Sequence, residues 1–184
     1  ISSLILVIFW ASFEQAGGLL NIFAYEKTNR YISLLNFEIP ASWFQSINPL
    51  LIIVLGYSVS VFWMNLKKRG MLATSIFKIS IGIIIMGLGF IFMIFASIES
   101  EIHGKSSTYW LFLAYLFFTI GELCASPVIL SYITKLSPEK LTASIMGIYF
   151  ATIGLGNKLA GLIGQYSQAL GEKLIFTGIT LICV

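Results

Sequence analysis

The chain has 184 residues, of which 58% are hydrophobic and only 10% are charged, and its formal net charge is +3. Soluble domains usually carry about a quarter charged residues, so this composition excludes an ordinary soluble domain. The small net charge does not indicate a nucleic-acid partner.

Five long apolar runs follow one another along the chain, and a sixth begins near its end. Each complete run is long enough for a helix to cross a hydrocarbon core about 30 Å thick, and too long for barrel strands of about 9–11 residues. We therefore predict an all-α, polytopic membrane protein. The predicted helices lie near residues 1–24, 43–66, 71–97, 109–133 and 142–168, with a truncated helix at 173–184.

The two ends of the sequence, Ile1 and Val184, both lie inside apolar runs, so we expect the chain to be part of a longer protein. The first run has neither a basic flank nor a small-residue cleavage site and is not predicted to be a signal peptide. Cys124 and Cys183 fall in apolar runs, and His103 is the single histidine. The sequence therefore predicts neither a structural disulfide nor a metal site.

Basic residues in the loops predict the orientation. The densest cluster, at residues 67–69, sits in the shortest connection and is expected in the cytoplasm by the positive-inside rule. Alternation then places residues 25–42 and 98–108 outside, and Lys135 and Lys140 inside. The cluster at 67–69 has a second interpretation, the binding of lipid headgroups.

Two glutamates, Glu14 and Glu122, lie well inside apolar runs. A charged carboxylate at the centre of a membrane helix costs about 2.5–3.5 kcal/mol on insertion scales. Such residues mainly face a protein interior, carry protons or hold a ligand. Trp10, Glu14 and Asn21 recur at helical spacing, which predicts a polar face lining a water-filled cavity. The alternative for Glu14 is a structural glutamate satisfied by a neighbouring lysine or hydroxyl.

The first and fifth runs also contain small residues, and the fifth contains one lysine. Gly17 and Gly18 predict the close approach of a neighbouring helix, and so does the spacing of Gly156, Ala160 and Gly164. Lys158 is either the countercharge of an intramembrane glutamate or a side chain that snorkels outward.

Prolines mark two further sites. Pro49 frees the carbonyl of Gln45, so Asn48 either fills that role or points into a cavity as a ligand for an ammonium or a carboxylate. Ser126 lies one turn after Glu122 on the same face. The proline that follows Ser126 predicts a bend that is either a moving gate or a static kink.

Four blocks together resemble the proton-dependent oligopeptide transporter family of the major facilitator superfamily, in their order and spacing as well as their residues. The blocks are Phe9-Trp10 with Phe13-Glu14-Gln15, Gln45 through Leu50, Gly121-Glu122 through Ser126-Pro127 to Leu130-Ser131, and Met146-Gly147 with Gly156-Asn157 and Ala160-Gly161. The resemblance implies the C-terminal six-helix bundle of a major facilitator fold, with five complete helices and the start of a sixth. The N-terminal half is expected to be missing.

The resemblance also implies roles for individual residues. Glu14 matches a glutamate of proton coupling, and Asn48 with Glu122 matches the pair that holds the amino terminus of the substrate. The implied substrate-binding residues are Trp10, Asn48, Glu122, Ser126 and Tyr149. Tyr149 stands where members usually have tryptophan, Ile129 replaces a usual glycine and Tyr57 replaces a common proline. We expect the first departure to alter the pocket and the other two to alter helix flexibility.

The function expected from these features is proton-coupled import of di- and tripeptides by alternating access. The proton is the coupling ion, and no cofactor or metal is expected. Alternatives are a same-family transporter of nitrate or another small metabolite, and a non-transporting structural subunit. An enzyme is not expected, because no metal ligands or nucleophile with a base accompany the glutamates. The expected partners are the peptide, the lipid bilayer and the missing N-terminal half, in a bacterial inner (plasma) membrane.

Overall fold

A computed structural model describes residues 2–32, 36–70 and 74–184 of the chain. Ile1 and residues 71–73, which the predicted first and third helices include, lie outside the described residues. The described α-helices are α1 (Ser2–Phe13), α2 (Leu19–Glu26), α3 (Ile47–Lys68), α4 (Ser75–His103), α5 (Thr108–Leu136), α6 (Thr142–Leu170) and α7 (Glu172–Cys183).

The connections contain short 3-10 helices and two-residue strands. The 3-10 helices are Glu14–Ala16, Ala41–Ser46 and Glu139–Leu141, and the strands are β1 (Thr28–Asn29), β2 (Tyr31–Ile32), β3 (Phe37–Glu38) and β4 (Ser106–Ser107). Strands β2 and β3 pair antiparallel, and β1 pairs parallel with β4. Because these strands only tie loops together, the predicted all-α class is confirmed.

Five helical segments among the described residues are long and apolar enough to cross a membrane. They are Leu4–Glu26, Ala41–Lys68, Ser75–His103, Thr108–Lys135 and Thr142–Ser167. The predicted polytopic membrane architecture is therefore confirmed. Helix α7 follows α6 after a single residue, Gly171, which has a positive φ of 85°.

The first membrane segment is not one continuous α-helix. Helix α1 ends at Phe13, and the chain then makes a 3-10 turn before α2 begins at Leu19. The N–H groups of Gly17 and Gly18 both donate to the Glu14 carbonyl, at 3.2 Å. A Cβ added at either glycine would meet only that same carbonyl, at 3.8 and 3.6 Å. These glycines lie at the helix break, and no neighbouring helix of the described residues approaches them, so the predicted close approach stays a prediction.

Helices α4 and α5 form the buried centre of the bundle. A Cβ added at Gly82 would lie 2.6 Å from the Gly121 carbonyl oxygen, and one added at Gly121 would lie 2.6 Å from the Gly82 carbonyl oxygen. The two backbones therefore touch, as small residues allow inside a membrane. Met86, Phe90 and Met93 of α4 are fully buried beside this crossing. Helix α4 therefore packs inside the bundle along this face.

Helix α6 packs on α1 through its small residues. A Cβ added at Gly156 would lie 2.7 Å from the Trp10 Cβ and 3.1 Å from the Ala11 backbone nitrogen. Ala160 is 8% exposed, whereas a Cβ added at Gly164 would find nothing within 4 Å. The predicted helix contact is therefore confirmed at the first two members of the small-residue series, and the third opens onto a cavity.

At one end of the bundle, a strand pairing and an ion pair connect the loops. Thr28 pairs with Ser106 across β1 and β4. Lys27 forms an ion pair with Glu172 at 2.9 Å, which brings the turn between α6 and α7 to the same end. The described parts of the loops predicted to lie outside, residues 25–32, 36–42 and 98–108, thus lie at a common end, as the alternation requires. Which side of the membrane that end faces stays a prediction.

Candidate functional site

Asn48 and Glu122 form a direct contact between α3 and α5. The Asn48 Nδ2 donates a hydrogen bond to Glu122 Oε2 at 3.0 Å, across 74 residues of sequence. Both side chains are half-buried. Asn48 lies in the first turn of α3, where backbone N–H groups lack intrahelical partners, so Pro49 is tolerated beside it. The Asn48 amide bonds Glu122 and not the Gln45 carbonyl, so Asn48 does not replace the donor that Pro49 removes, and its role as a ligand stays a prediction.

The Asn48–Glu122 pair keeps unused acceptor atoms. The hydrogen bond uses one carboxylate oxygen and one amide hydrogen, which leaves Glu122 Oε1 and Asn48 Oδ1 without a bond to the described residues. No lysine or arginine in the described ranges pairs with Glu122. An anionic carboxylate with a neighbouring amide oxygen is suited to an ammonium group, which only donates hydrogen bonds.

Ser126 follows Glu122 by one helical turn on α5 and is half-buried. Its hydroxyl has no hydrogen bond to the part of the chain that the structure describes. Helix α5 continues through Pro127, so the proline does not interrupt the helix, although the Leu123 carbonyl loses its usual backbone donor. Ser126 therefore offers a free hydroxyl on the same helix as the carboxylate.

Trp10 and Tyr149 lie together where α1 crosses α6. Tyr149 is 6% exposed, and its hydroxyl lies near the Trp10 indole. Trp10 Nε1 is buried and has no hydrogen-bond partner of good geometry among the described residues. Tyr149 also lines a cavity of about 430 Å³, together with Ile129 and Thr152. Tyr149 thus lines a mainly apolar cavity, and Trp10 is not among the described residues that line it.

Glu14 occupies a different place, at the first position of the 3-10 turn after α1. Its half-buried side chain lines a cavity of about 580 Å³ together with Asn157 and Gln165 of α6. Across the described ranges, no cation lies within ion-pair distance of Glu14, and Lys158 is exposed. Lys158 pairs with no glutamate of the described residues, and both interpretations of it stay open. The cavity is lined mainly by apolar atoms, but it includes the side chains of Glu14, Asn157 and Gln165 and is large enough to admit water.

Two residues to which the sequence assigned no role hold the helix break beside Glu14. Gln15 donates from Nε2 to the carbonyls of Ala11, at 3.1 Å, and Ala160, at 3.3 Å. The Tyr115 hydroxyl donates to the Ala16 carbonyl at 2.8 Å. These donors satisfy carbonyls near the point where the helix ends. Gln15 belongs to a family block in the sequence, but nothing in the sequence pairs it with α6.

The structure thus divides the predicted site into three places. Asn48 is joined to Glu122, Trp10 lies beside Tyr149, and Glu14 faces its own cavity. The first place is chemically suited to binding a cation, the second to contacting an apolar group, and the third to exchanging a proton with water.

Comparison with known proteins gives consistent matches. The model of the POT family matches residues 3–176. The peptide transporter YePEPT of Yersinia enterocolitica subsp. palearctica is 40% identical over 88% of this chain and 32% of its own length. The uncharacterized transporter YclF of Bacillus subtilis is 36% identical over 97% of this chain and 35% of its own length.

A solved structure agrees with these matches. The crystal structure of a POT family transporter in complex with 5-aminolevulinic acid superposes with a TM-score of 0.86 at 27% identity. The superposition covers 98% of this chain and 37% of that one. The chain therefore spans about a third of the length of the proteins that it matches.

Proposed function

The chain belongs to the POT family, and we propose that it forms the C-terminal bundle of a proton-coupled importer of di- and tripeptides. The predicted family is thereby confirmed. The relatives are transporters, so the chain is not an enzyme, and it is an integral membrane protein of the bacterial plasma membrane. The substrate, the proton coupling and the residue roles that follow are proposals.

The hydrogen bond between Asn48 and Glu122 is the single observation that carries the proposal. A free peptide has an α-ammonium at neutral pH, and a desolvated ammonium needs a site rich in acceptors. Glu122 supplies a negative charge and Asn48 an amide oxygen, while Asn48 holds the carboxylate in position. The name of the relative YePEPT, a peptide transporter, supports the same substrate class.

Proton coupling is assigned to Glu14. A carboxyl group couples to transport if it binds a proton in one conformation and releases it in another. Glu14 lies at a break between α1 and α2, where a small change in the relative tilt of the two segments would move the carboxyl group. Its cavity provides a route for exchange with water.

Trp10, Tyr149 and Ser126 are proposed to contact the body of the peptide. The aromatic pair offers an apolar surface to a side chain, and the Ser126 hydroxyl can donate or accept a hydrogen bond. Alternating access requires a second bundle against which this one moves, and we propose that the rest of the protein supplies it.

The charge at Glu122 argues against nitrate as the substrate. Nitrate is an anion, and a carboxylate with no paired cation among the described residues would repel it. A small metabolite with an amino group remains the second candidate. A POT family transporter has been crystallised with 5-aminolevulinic acid, which carries such a group.

The test compares a free dipeptide with its N-acetylated form in the complete transporter. Losing a charge-assisted contact costs roughly 1.5–3 kcal/mol, so Glu122→Gln should weaken free-dipeptide binding about ten- to hundredfold. The same substitution should weaken the acetylated dipeptide much less, because that ligand has no ammonium. Glu26→Gln, at an exposed glutamate of α2, is the matched control and should change neither.

Equal losses for the two ligands in Glu122→Gln would contradict the assignment and give Glu122 a role in folding or proton handling. Preserved binding of both ligands would show that the ammonium is held elsewhere. If 5-aminolevulinic acid binds and no dipeptide does, the second candidate is the correct one.

A further inference from the structure

A groove on the outside of the bundle, between α3 and α4 with α5 as its floor, plays no part in the proposed transport. It has a volume of about 550 Å³. Its walls include Phe62, Trp63 and Leu66 of α3 and Phe77 of α4, with Cys124 of α5 below. The lining is almost wholly apolar, as expected for contact with hydrocarbon.

The groove has the length of one lipid leaflet. It extends along α3 from Leu66 to Ser58 and along α4 from Phe77 to Ile85. On each side the two end residues are eight positions apart, which corresponds to about 12 Å of helix, and half of the hydrocarbon core is about 15 Å. An acyl chain entering at the end near Leu66 and Phe77 would therefore fill it.

Positive charge lies at that same end. Lys78, next to Phe77, is half-buried with its Nζ 5.0 Å from the centre of the Trp63 ring. Lys67, Lys68 and Arg69 follow Leu66 directly and are exposed. None of these four cations forms an ion pair with the described residues.

We propose that this groove binds an anionic phospholipid, with the acyl chain between α3 and α4 and the phosphate held by Lys78 and the cluster at 67–69. A cation–π contact with Trp63 keeps Lys78 at the mouth of the groove and leaves its N–H groups to donate. The headgroup is then on the side that the basic cluster assigns to the cytoplasm, where anionic lipids attract such clusters. The basic cluster at 67–69 can then set the topology and also bind a lipid headgroup.

The test is native mass spectrometry of the complete transporter in detergent, with dioleoyl phosphatidylglycerol and dioleoyl phosphatidylcholine added separately. The two lipids share their acyl chains and differ in net charge. Wild-type protein should bind the anionic lipid at least about fivefold more tightly, from one lysine near the headgroup. Lys78→Gln should lose about that factor for the anionic lipid alone. Lys140→Gln, which removes a charge from another loop on the same side, is the matched control and should change nothing.

Two further measurements distinguish the contribution of the headgroup from that of the acyl chain. Inorganic phosphate should not compete with the lipid, because the groove contributes contacts that phosphate lacks. Ser58→Trp, which places a large side chain at the inner end of the groove, should weaken binding of the anionic lipid.

Several results would overturn the proposal. Equal affinity for the two lipids, or the same loss in Lys78→Gln and Lys140→Gln, would show no headgroup site at Lys78. An unchanged affinity in Ser58→Trp would mean that the lipid lies elsewhere or that another helix of the complete protein fills the groove. If Lys78→Gln is not monodisperse, Lys78→Arg is tested instead. This variant keeps the charge and should bind the anionic lipid as the wild type does. A loss of selectivity in Lys78→Arg would also contradict the site.

Discussion

Glu122 lies within a continuous helix and accepts a hydrogen bond from Asn48 on the neighbouring helix, whereas Glu14 lies where the first membrane segment breaks and faces a cavity. Both are half-buried glutamates in apolar runs. They differ in the polar groups that lie next to the carboxyl group. Glu122 has a fixed amide donor, and Glu14 has neutral polar side chains and space for water.

From this difference we propose that one residue type serves two purposes in this bundle. A carboxyl group held by a hydrogen bond from a neighbouring helix keeps its position and is placed to recognise a ligand. A carboxyl group at a backbone break, without a fixed partner among the described residues, can change its position when the helices move. The following predictions test this division of roles.

Glu14→Gln should have the largest effect. Glutamine has the shape of glutamic acid but cannot bind and release a proton, so accumulation of peptide against its gradient should be abolished while counterflow persists. Uptake driven by a pH gradient and counterflow, both in proteoliposomes, measure the two activities. Glu26→Gln is the control and should keep both. Uphill uptake at the wild-type level in Glu14→Gln would show that Glu14 has a structural role. It would contradict the proposed difference between Glu14 and Glu122.

Gly156→Ala should disturb the Glu14 side of the bundle. Its Cβ would lie 2.7 Å from the Trp10 Cβ, so α6 and α1 must separate, at a cost of about 1–3 kcal/mol. Gly154→Ala, on the same helix with nothing within 4 Å, is the control and should be neutral or slightly stabilising. Thermal unfolding of the purified transporter compares the variants. Equal unfolding temperatures would contradict the close contact between α1 and α6.

Asn48→Ala should weaken binding of a free dipeptide by about tenfold or more, because one hydrogen bond to a charged group is lost. Gln45→Ala, at an exposed position nearby, is the control. Combined with Glu122→Gln, the loss should be less than the sum of the single losses, since the two residues act as a pair. Combined with Glu14→Gln, it should be additive. If the losses in binding free energy of Asn48→Ala and Glu122→Gln were additive, the two residues would not act as a pair.

Tyr149→Trp should have the smallest effect. The larger ring would occupy part of the wall beside Trp10 and remove a hydroxyl, so the ranking among dipeptides with large side chains should change more than the overall rate. Competition assays with a series of dipeptides measure that ranking. An unchanged ranking would place Tyr149 outside the pocket, and the 430 Å³ cavity that it lines would then serve packing.

The membrane architecture could be predicted from the sequence because it depends on local quantities. A run of about 20 apolar residues matches the hydrocarbon thickness wherever its neighbours lie. The contact at Gly156 could also be predicted, since small residues at helical spacing have few other uses in a membrane. The break after Phe13 was missed, because Gly17 and Gly18 suit a helix contact as well as a helix end.

The sequence by itself determined that this protein is a membrane bundle with two intramembrane glutamates, since apolar length and the cost of a buried charge can be read from single positions. Only the tertiary structure decided which partner each glutamate has. Asn48 and Glu122 are 74 residues apart, and Gln15 reaches the Ala160 carbonyl across 145 residues. Such pairs depend on which helices are neighbours and on their relative rotation. Those are set by the packing of the whole bundle and not by the spacing along any one helix.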